Sequence, residues 1–136
     1  MPLRVEILHP QKFVHIVAEG PVTLKEMEDH FDTIFLANAM SYAKLFDATR
    51  GQPVYDDNDV MTMGARLSAY TATLGSGPLA VVGKDDTIRA TFKRFVNISP
   101  STRPAAFFRT EARARAWLAE KANEAKAKPT TADSTT

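Results

Sequence analysis

The stretch Lys44-Leu-Phe-Asp-Ala-Thr-Arg-Gly51 decides the fold, because a short apolar run there ends in a cluster of polar groups. We predict Tyr42–Asp47 as a strand, and its middle is apolar on both sides, which is typical of a central strand in a sheet. Asp47 brings a carboxylate, Thr49 a hydroxyl and Arg50 a guanidinium to the end of that strand. Open α/β sheets bind ligands and partners at such strand ends. We therefore expect a candidate site where the third strand ends.

Two strands and a helix are predicted before this segment. Leu3–Leu8 alternates apolar and charged residues with the period of a half-buried strand. Phe13–Glu19 supplies a second strand, which Gly20-Pro21 ends, and the two strands are predicted to form an antiparallel hairpin. Thr23 and Glu26 have the spacing of a capping box, which starts a helix. The predicted buried face of that helix is Leu24, Met27, Phe31, Ile34 and Phe35.

A second helix is predicted directly after the segment. Gly51-Gln52-Pro53 is predicted as a loop. The carboxylates of Asp56, Asp57 and Asp59 suit the first turn of a helix, where they cap free N–H groups and oppose the helix dipole. The predicted buried face of this helix is Val60, Met63, Leu67, Tyr70 and Leu74.

Strands and helices continue to alternate towards the carboxyl end. Leu79–Val82 is a short apolar strand, followed by a helix that Asp85 or Asp86 caps. Ala105–Phe108 is the last strand, and Thr110 caps the last helix. The order ββαβαβαβα predicts an α/β fold with a mixed, mostly parallel five-stranded sheet and four helices, the first strand lying antiparallel at an edge.

Composition places this pattern in one domain. The chain has 136 residues, of which 44% are hydrophobic, and we bound the domain at residues 1–124. Residues 125–136 are rich in polar and small residues and are predicted to be a disordered tail. With no cysteine, disulfides, thiolate nucleophiles and cysteine zinc sites are excluded. No apolar run approaches the roughly 20 residues of a membrane span, and no signal peptide is evident, so a cytoplasmic location is predicted.

The net charge of +1 hides an asymmetry along the chain. Residues 1–83 carry 6 basic and 10 acidic groups, a net charge of −4, whereas residues 84–128 carry 11 basic and 5 acidic groups, a net charge of +6. The two halves could be differently solvated faces of one monomer. They could equally attract an acidic partner or a second copy, which makes a homodimer one of the open alternatives.

The pattern resembles the STAS superfamily, the sulfate-transporter and anti-sigma-factor-antagonist domain, and its stand-alone SpoIIAA-like bacterial branch. The resemblance spans nearly the whole predicted domain, and its residues are Phe13–Gly20, Lys44–Gly51, Gly77–Val82, Arg94-Phe95 and Phe107–Leu118. It implies a STAS-like fold and a regulatory or protein-interaction module. In anti-sigma-factor antagonists, a serine at the start of the helix after the third strand is phosphorylated. The matching stretch, Asp56-Asp-Asn-Asp-Val60, contains no Ser or Thr, so the resemblance carries no phosphorylation switch at that position.

Sequence motifs for other functions are weak. No serine elbow or glycine-rich phosphate loop is present, and His9, His15 and His30 have no metal-ligand spacing. We therefore predict no enzyme, no metal and no cofactor. Nucleic-acid binding is not predicted either, because the chain is nearly neutral and its basic residues suit solvated helix faces. Those basic residues are Arg89, Lys93, Arg94, Arg103, Arg109, Arg113 and Arg115.

Two binding hypotheses remain. In the first, a protein partner contacts the end of the third strand and the start of the second helix, and the predicted site residues are Asp47, Thr49, Arg50, Asp56, Asp57 and Asn58. In the second, a small apolar molecule or lipid lies in a cleft between helices and sheet. The predicted lining of that cleft is Phe31, Phe35, Met61, Met63, Phe92 and Phe95. A small hydrolase-like enzyme is the third and weakest alternative.

Overall fold

The structure is a computed structural model that describes residues 3–54, 56–74, 77–98 and 104–134, with the side chains of residues 67–74, 98 and 125–134 left out of the description. In chain order the elements are β1 (Leu3–Leu8), β2 (Phe13–Val22), α1 (Leu24–Leu36), β3 (Ala43–Pro53), α2 (Asp57–Leu74), β4 (Leu79–Val82), α3 (Asp86–Ile98), β5 (Ala105–Phe108) and α4 (Glu111–Ser134).

The five strands form one sheet in the order β1-β2-β3-β4-β5. β1 pairs antiparallel with β2, and every other neighbouring pair is parallel. The predicted element order, the antiparallel first strand at the edge and the central third strand are all confirmed.

Helices cover both faces of the sheet. On β3, Phe46 packs on the side of α1 and α3, whereas its neighbour Leu45 packs against Ala114 and Leu118 of α4. Successive strand residues point to opposite faces, so each strand contributes to two separate apolar layers. α2 packs against α1 and α3 and adds Val60 to their side of the core.

β2 and β3 both run further than the sequence predicted. Gly20-Pro21 does not end β2, and the stretch Gly51-Gln52-Pro53 is strand, not loop, because these residues pair with each other: Gly20 with Gly51, Pro21 with Gln52 and Val22 with Pro53. Among the residues that the structure describes, β2 beyond Ala18 and β3 beyond Asp47 have no strand on their other side. A proline, which lacks an N–H donor, is tolerated on such an open edge.

A bulge separates this extension from the rest of the sheet. Val17 pairs with Asp47 but Glu19 pairs with Arg50, so one residue of β2 faces two residues of β3. Just beyond it, Gly51 lies against Ala18 so closely that a Cβ on Gly51 would be 2.6 Å from the Cβ of Ala18. The glycine therefore allows the two strands to stay paired after the bulge.

The predicted capping box of α1 is confirmed. The backbone N–H of Glu26 donates to the hydroxyl of Thr23, and the backbone N–H of Thr23 donates to Glu26 Oε1. The buried face differs from the prediction at two positions, because His30 is buried and Phe35 is exposed. In helical spacing His30 lies between Met27 and Ile34, at the centre of the buried stripe, while Phe35 lies at its margin.

The remaining helices begin where the sequence predicted. Asp85 caps α3 through Ile88, and Thr110 caps α4 through Arg113. On α2, Val60 and Met63 are buried as predicted. The predicted buried residues Leu67, Tyr70 and Leu74 lie outside the described side chains.

The end of α4 differs from the predicted tail. The helix reaches Ser134, so the backbone of residues 125–134 is helical, whereas the sequence predicted no secondary structure from residue 125 onwards. The described contacts with the sheet come from the first turns of α4, through Ala114, Trp117 and Leu118. The domain boundary at residue 124 stays a prediction.

Candidate functional site

Asp47 holds the bulge in β3. Its Oδ1 accepts a hydrogen bond of 3.0 Å from the backbone N–H of Thr49 and one of 2.7 Å from the hydroxyl of the same residue. A bulged residue loses its partner in the sheet ladder, and the carboxylate supplies one here. The carboxylate of Asp47 and the hydroxyl of Thr49 therefore form hydrogen bonds within β3 itself.

Arg50 extends from the paired end of β2 and β3. Its Nη2 lies 3.6 Å from Glu19 Oε1, and the same oxygen accepts a 2.7 Å hydrogen bond from Nη2 of Arg4. Arg50 thus pairs with neither Asp47 nor the acidic start of α2. Its side chain is 67% exposed, so the guanidinium is open to solvent beside its carboxylate.

The carboxylates at the start of α2 make two different kinds of contact. The backbone N–H of Asp56 donates to the carboxylate of Asp59, and the backbone N–H of Asp59 donates to the carboxylate of Asp56. This reciprocal cap confirms that these carboxylates serve the helix start. Asp57 instead lies 3.3 Å from Arg94 of α3 with most of its side chain exposed, and Asn58 is exposed.

The six predicted site residues therefore form two groups. Asp47, Thr49 and Arg50 lie on β3, while the residues from Asp56 to Asn58 lie at the start of α2. Within the described part of the chain, no hydrogen bond or ion pair joins the two groups. They are connected by the short segment of residues 54–56.

Two exposed apolar side chains lie close to the second group in the chain. Neither was predicted to be a surface residue. Val54, directly after β3, is 53% exposed, and Met61, in the first turns of α2, is 58% exposed. Helical spacing places Met61 on the same face as Asp57 and Asn58. That spacing was readable in the sequence, but Met61 was predicted to line a cleft between helices and sheet.

A second feature is a partly open cleft of about 100 Å³ between the sheet and helices α1 and α3. Phe31, Phe92 and Phe95 line it as predicted. The other three predicted lining residues do not: Phe35 and Met61 are exposed, and Met63 is buried in the core.

The cleft has polar groups that the sequence analysis did not assign to it. Lys44 is 4% exposed, and its ammonium donates to the carbonyl oxygens of Met40 and Tyr42 at 2.5 and 2.9 Å. His30 donates from Nδ1 to the carbonyl of Met27 at 3.0 Å. Both side chains bond to backbone carbonyl groups. The other residues that line the cleft are mostly apolar. Strand alternation could have placed Lys44 here, since it lies on the same face as Phe46.

Two further features of the described residues concern metal ions and membranes. Among the described residues, no group of three or more His, Asp or Glu side chains is arranged to hold a metal ion. In the same part of the chain, none of the helices combines the length and the apolar character needed to cross a membrane.

Comparisons with known proteins point to solved structures only. No protein-family model matches the chain, and no curated protein sequence matches it. An uncharacterised protein of the DUF3478 family from Shewanella loihica PV-4, described as having a SpoIIAA-like fold, superposes with a TM-score of 0.58 at 16% identity, over 85% of this chain and 91% of that one.

The unphosphorylated form of SpoIIAA, an anti-sigma factor antagonist, superposes with a TM-score of 0.54 at 12% identity, over 85% of this chain and 96% of that one. The chain has a SpoIIAA-like α/β fold.

Proposed function

We propose that this protein is a non-enzymatic regulatory module that binds a protein partner. The binding surface, which we call the α2 surface, comprises Arg50, Val54, Asp57, Asn58 and Met61. The resemblance of the fold to an anti-sigma factor antagonist supports a role in protein interaction. A cytoplasmic location stays a prediction.

One observation carries this proposal: two large apolar side chains, Val54 and Met61, are more than half exposed and flank the exposed polar residues 56–58 in the chain. Exposed apolar residues with a polar rim are characteristic of protein interfaces. Arg50 adds an exposed guanidinium, a group that is enriched at interface hot spots.

The α2 surface works without a phosphorylated serine in this proposal. The start of α2 offers no hydroxyl between Asp56 and Val60. The carboxylates of Asp56 and Asp59 accept backbone hydrogen bonds of the helix start, so they are engaged locally. The Asp57 side chain is 66% exposed, and its carboxylate lies beside Arg94.

Affinity capture with the immobilised full chain tests the proposal. Proteins bound by the wild type are quantified by mass spectrometry and compared with those bound by Arg50→Ala and Met61→Asp. Each change removes a side chain of the surface, so the specific partner should be retained about tenfold less. Arg50→Ala leaves Glu19 paired with Arg4, so the fold should be preserved.

Two control variants match these changes elsewhere on the molecule. Arg113→Ala removes an exposed arginine of α4, and Leu36→Asp replaces a leucine that is 82% exposed at the end of α1. Both should retain the partner. Equal capture by wild type, Arg50→Ala and Met61→Asp would contradict the proposed surface.

The cleft supports a second candidate function, the binding of a small apolar molecule. Its volume of about 100 Å³ is below the roughly 300 Å³ at which typical ligand pockets begin. It is closer to an engineered apolar cavity of roughly 150 Å³ that takes up benzene. A lipid would require the helices to separate, and for that reason this function ranks second.

Native mass spectrometry of gently purified protein tests the second candidate. A bound molecule would add mass to the 15.0 kDa chain and leave on collisional activation. Ala48→Leu places a larger side chain in the cleft and should abolish that added mass. Bare polypeptide in every preparation would remove this function.

A further inference from the structure

We propose that the outer edge of β1 is a self-association surface, through which two copies of this chain pair antiparallel about Val5 and join their sheets. This surface adjoins the α2 surface, because Arg4 and Arg50 both lie against Glu19 Oε1, and Glu6→Arg tests it without changing that contact. The partner is a second copy, because the charge pattern of β1 is complementary to itself.

β1 is an outer strand of the sheet. In the described residues its ladder bonds go to β2 alone, through six consecutive pairs from Leu3–Ala18 to Leu8–Phe13 with no shift in register. Natural edge strands are commonly protected by charged side chains, especially lysine, by proline or by a bulge. Between Leu3 and Leu8 there is no lysine, proline or bulge, and the two charged residues, Arg4 and Glu6, have opposite signs.

The side chains of β1 alternate between two environments. Leu3 is buried, and Val5 and Ile7 are partly buried against the core on the α1 side. Arg4 and Glu6 are exposed on the opposite face. A second copy of the strand would therefore meet one apolar row and one charged row.

Charge selects one register for this pairing. When the two strands are centred on Val5, Arg4 lies opposite the partner's Glu6 and Glu6 opposite the partner's Arg4. Opposite charges directly across a strand pair stabilise it, and like charges destabilise it. Centring on Arg4 or Glu6 would instead oppose two arginines or two glutamates.

The same register matches the apolar row. Val5 lies opposite the partner's Val5, and Leu3 lies opposite the partner's Ile7. A slip of one residue would place charged side chains opposite apolar ones, because neighbouring strand residues point to opposite faces. The two-fold arrangement repeats each contact, as an isologous dimer interface requires.

The charged groups are able to make these contacts. Glu6 has no ion pair or hydrogen bond from its side chain within the described part of the structure. Arg4 bonds Glu19 through Nη2, and a guanidinium has five N–H donors in all. Arg4 can thus keep Glu19 and also bind the partner's Glu6.

Sedimentation of the full chain at increasing concentration tests the proposal. The wild type should shift from 15.0 kDa towards twice that mass. Glu6→Arg and Arg4→Glu each place like charges across the two-fold axis, so each should weaken association at least about tenfold. An equimolar mixture of the two variants restores opposite charges at both positions and should associate again.

Glu120→Arg is the matched control, since it makes the same charge change at an exposed position of α4 and should associate like the wild type. Circular dichroism checks that every variant is folded. A wild type that stays monomeric, a Glu6→Arg variant that associates normally, or a mixture that fails to associate would each overturn the proposal.

A second measurement needs no variant. Amide hydrogen exchange of residues 3–8 in the wild type should slow as concentration rises, because self-pairing protects the outer N–H groups of β1. Exchange that is independent of concentration would also overturn the proposal.

Discussion

Asp47 shows how one side chain can determine the path of a strand. The sequence placed it at the end of the third strand, as one of the residues predicted to bind a partner. In the structure, its Oδ1 accepts hydrogen bonds from the N–H and the hydroxyl of Thr49. The strand then continues past Asp47 to Pro53, so the carboxylate stabilises an interruption within the strand.

Removing this acceptor should weaken the fold. Asp47→Ala leaves the Thr49 N–H without its acceptor, and we expect the free energy of unfolding to fall by about 1 kcal/mol. Asp47→Asn keeps an oxygen acceptor and should lose clearly less. Urea unfolding of the two variants measures the difference. An alanine variant as stable as the wild type would show that Asp47 does not hold the bulge.

At the scale of elements, local signals in the sequence were reliable where the structure is local. The Thr23–Glu26 box, the Asp85 cap and the alternation of Leu3–Leu8 each depend on residues a few positions apart, and each is found as predicted. The ends of β2 and β3 were missed because Gly-Pro and Gly-Gln-Pro are local breakers. Here their effect is overcome by pairing between residues about thirty positions apart, as for Gly20 with Gly51.

The candidate site was only partly readable for the same reason. Its residues on β3 and α2 could be named from their place in the chain. The helical spacing that puts Met61 on the face of Asp57 was also readable, whereas the exposure of Val54 and the cleft between α1 and α3 depend on how helices pack on the sheet. Such packing is set by many distant contacts and leaves no signal within a short window of sequence.

The start of α2 allows structural and partner-binding carboxylates to be separated. Asp56→Ala removes an acceptor of the helix cap, so we expect a loss of about 1 kcal/mol in the free energy of unfolding. Asp57→Ala removes an exposed ion pair with Arg94 and should change stability little, because exposed pairs contribute little.

Partner capture should show the reverse order. Asp57 belongs to the proposed α2 surface, so Asp57→Ala should retain less partner while unfolding at nearly the wild-type urea concentration. If Asp57→Ala destabilises the protein as much as Asp56→Ala does, the two carboxylates do not differ in role and the division proposed for the start of α2 is wrong.

At the scale of the whole molecule, the two faces of the sheet are filled differently. On the α4 side, Leu45, Ala80 and Val82 pack with Ala114 and Leu118 in a closed cluster. On the α1 and α3 side, part of the space between helices and sheet is the cleft of about 100 Å³. We therefore expect the α1 and α3 side to accept additional volume more readily than the α4 side.

A matched pair of alanines tests this difference. Ala48 lines the cleft, and Ala80 is fully buried against α4. Ala80→Leu adds volume to a filled core and should lower the free energy of unfolding by about 1–3 kcal/mol. Ala48→Leu adds the same atoms to an open space, where cavity filling is expected to be neutral or to stabilise by up to about 1 kcal/mol. Urea unfolding of both variants gives the comparison, and an Ala48→Leu variant as unstable as Ala80→Leu would mean that the α1 and α3 side is packed as tightly as the α4 side and has no room for a ligand.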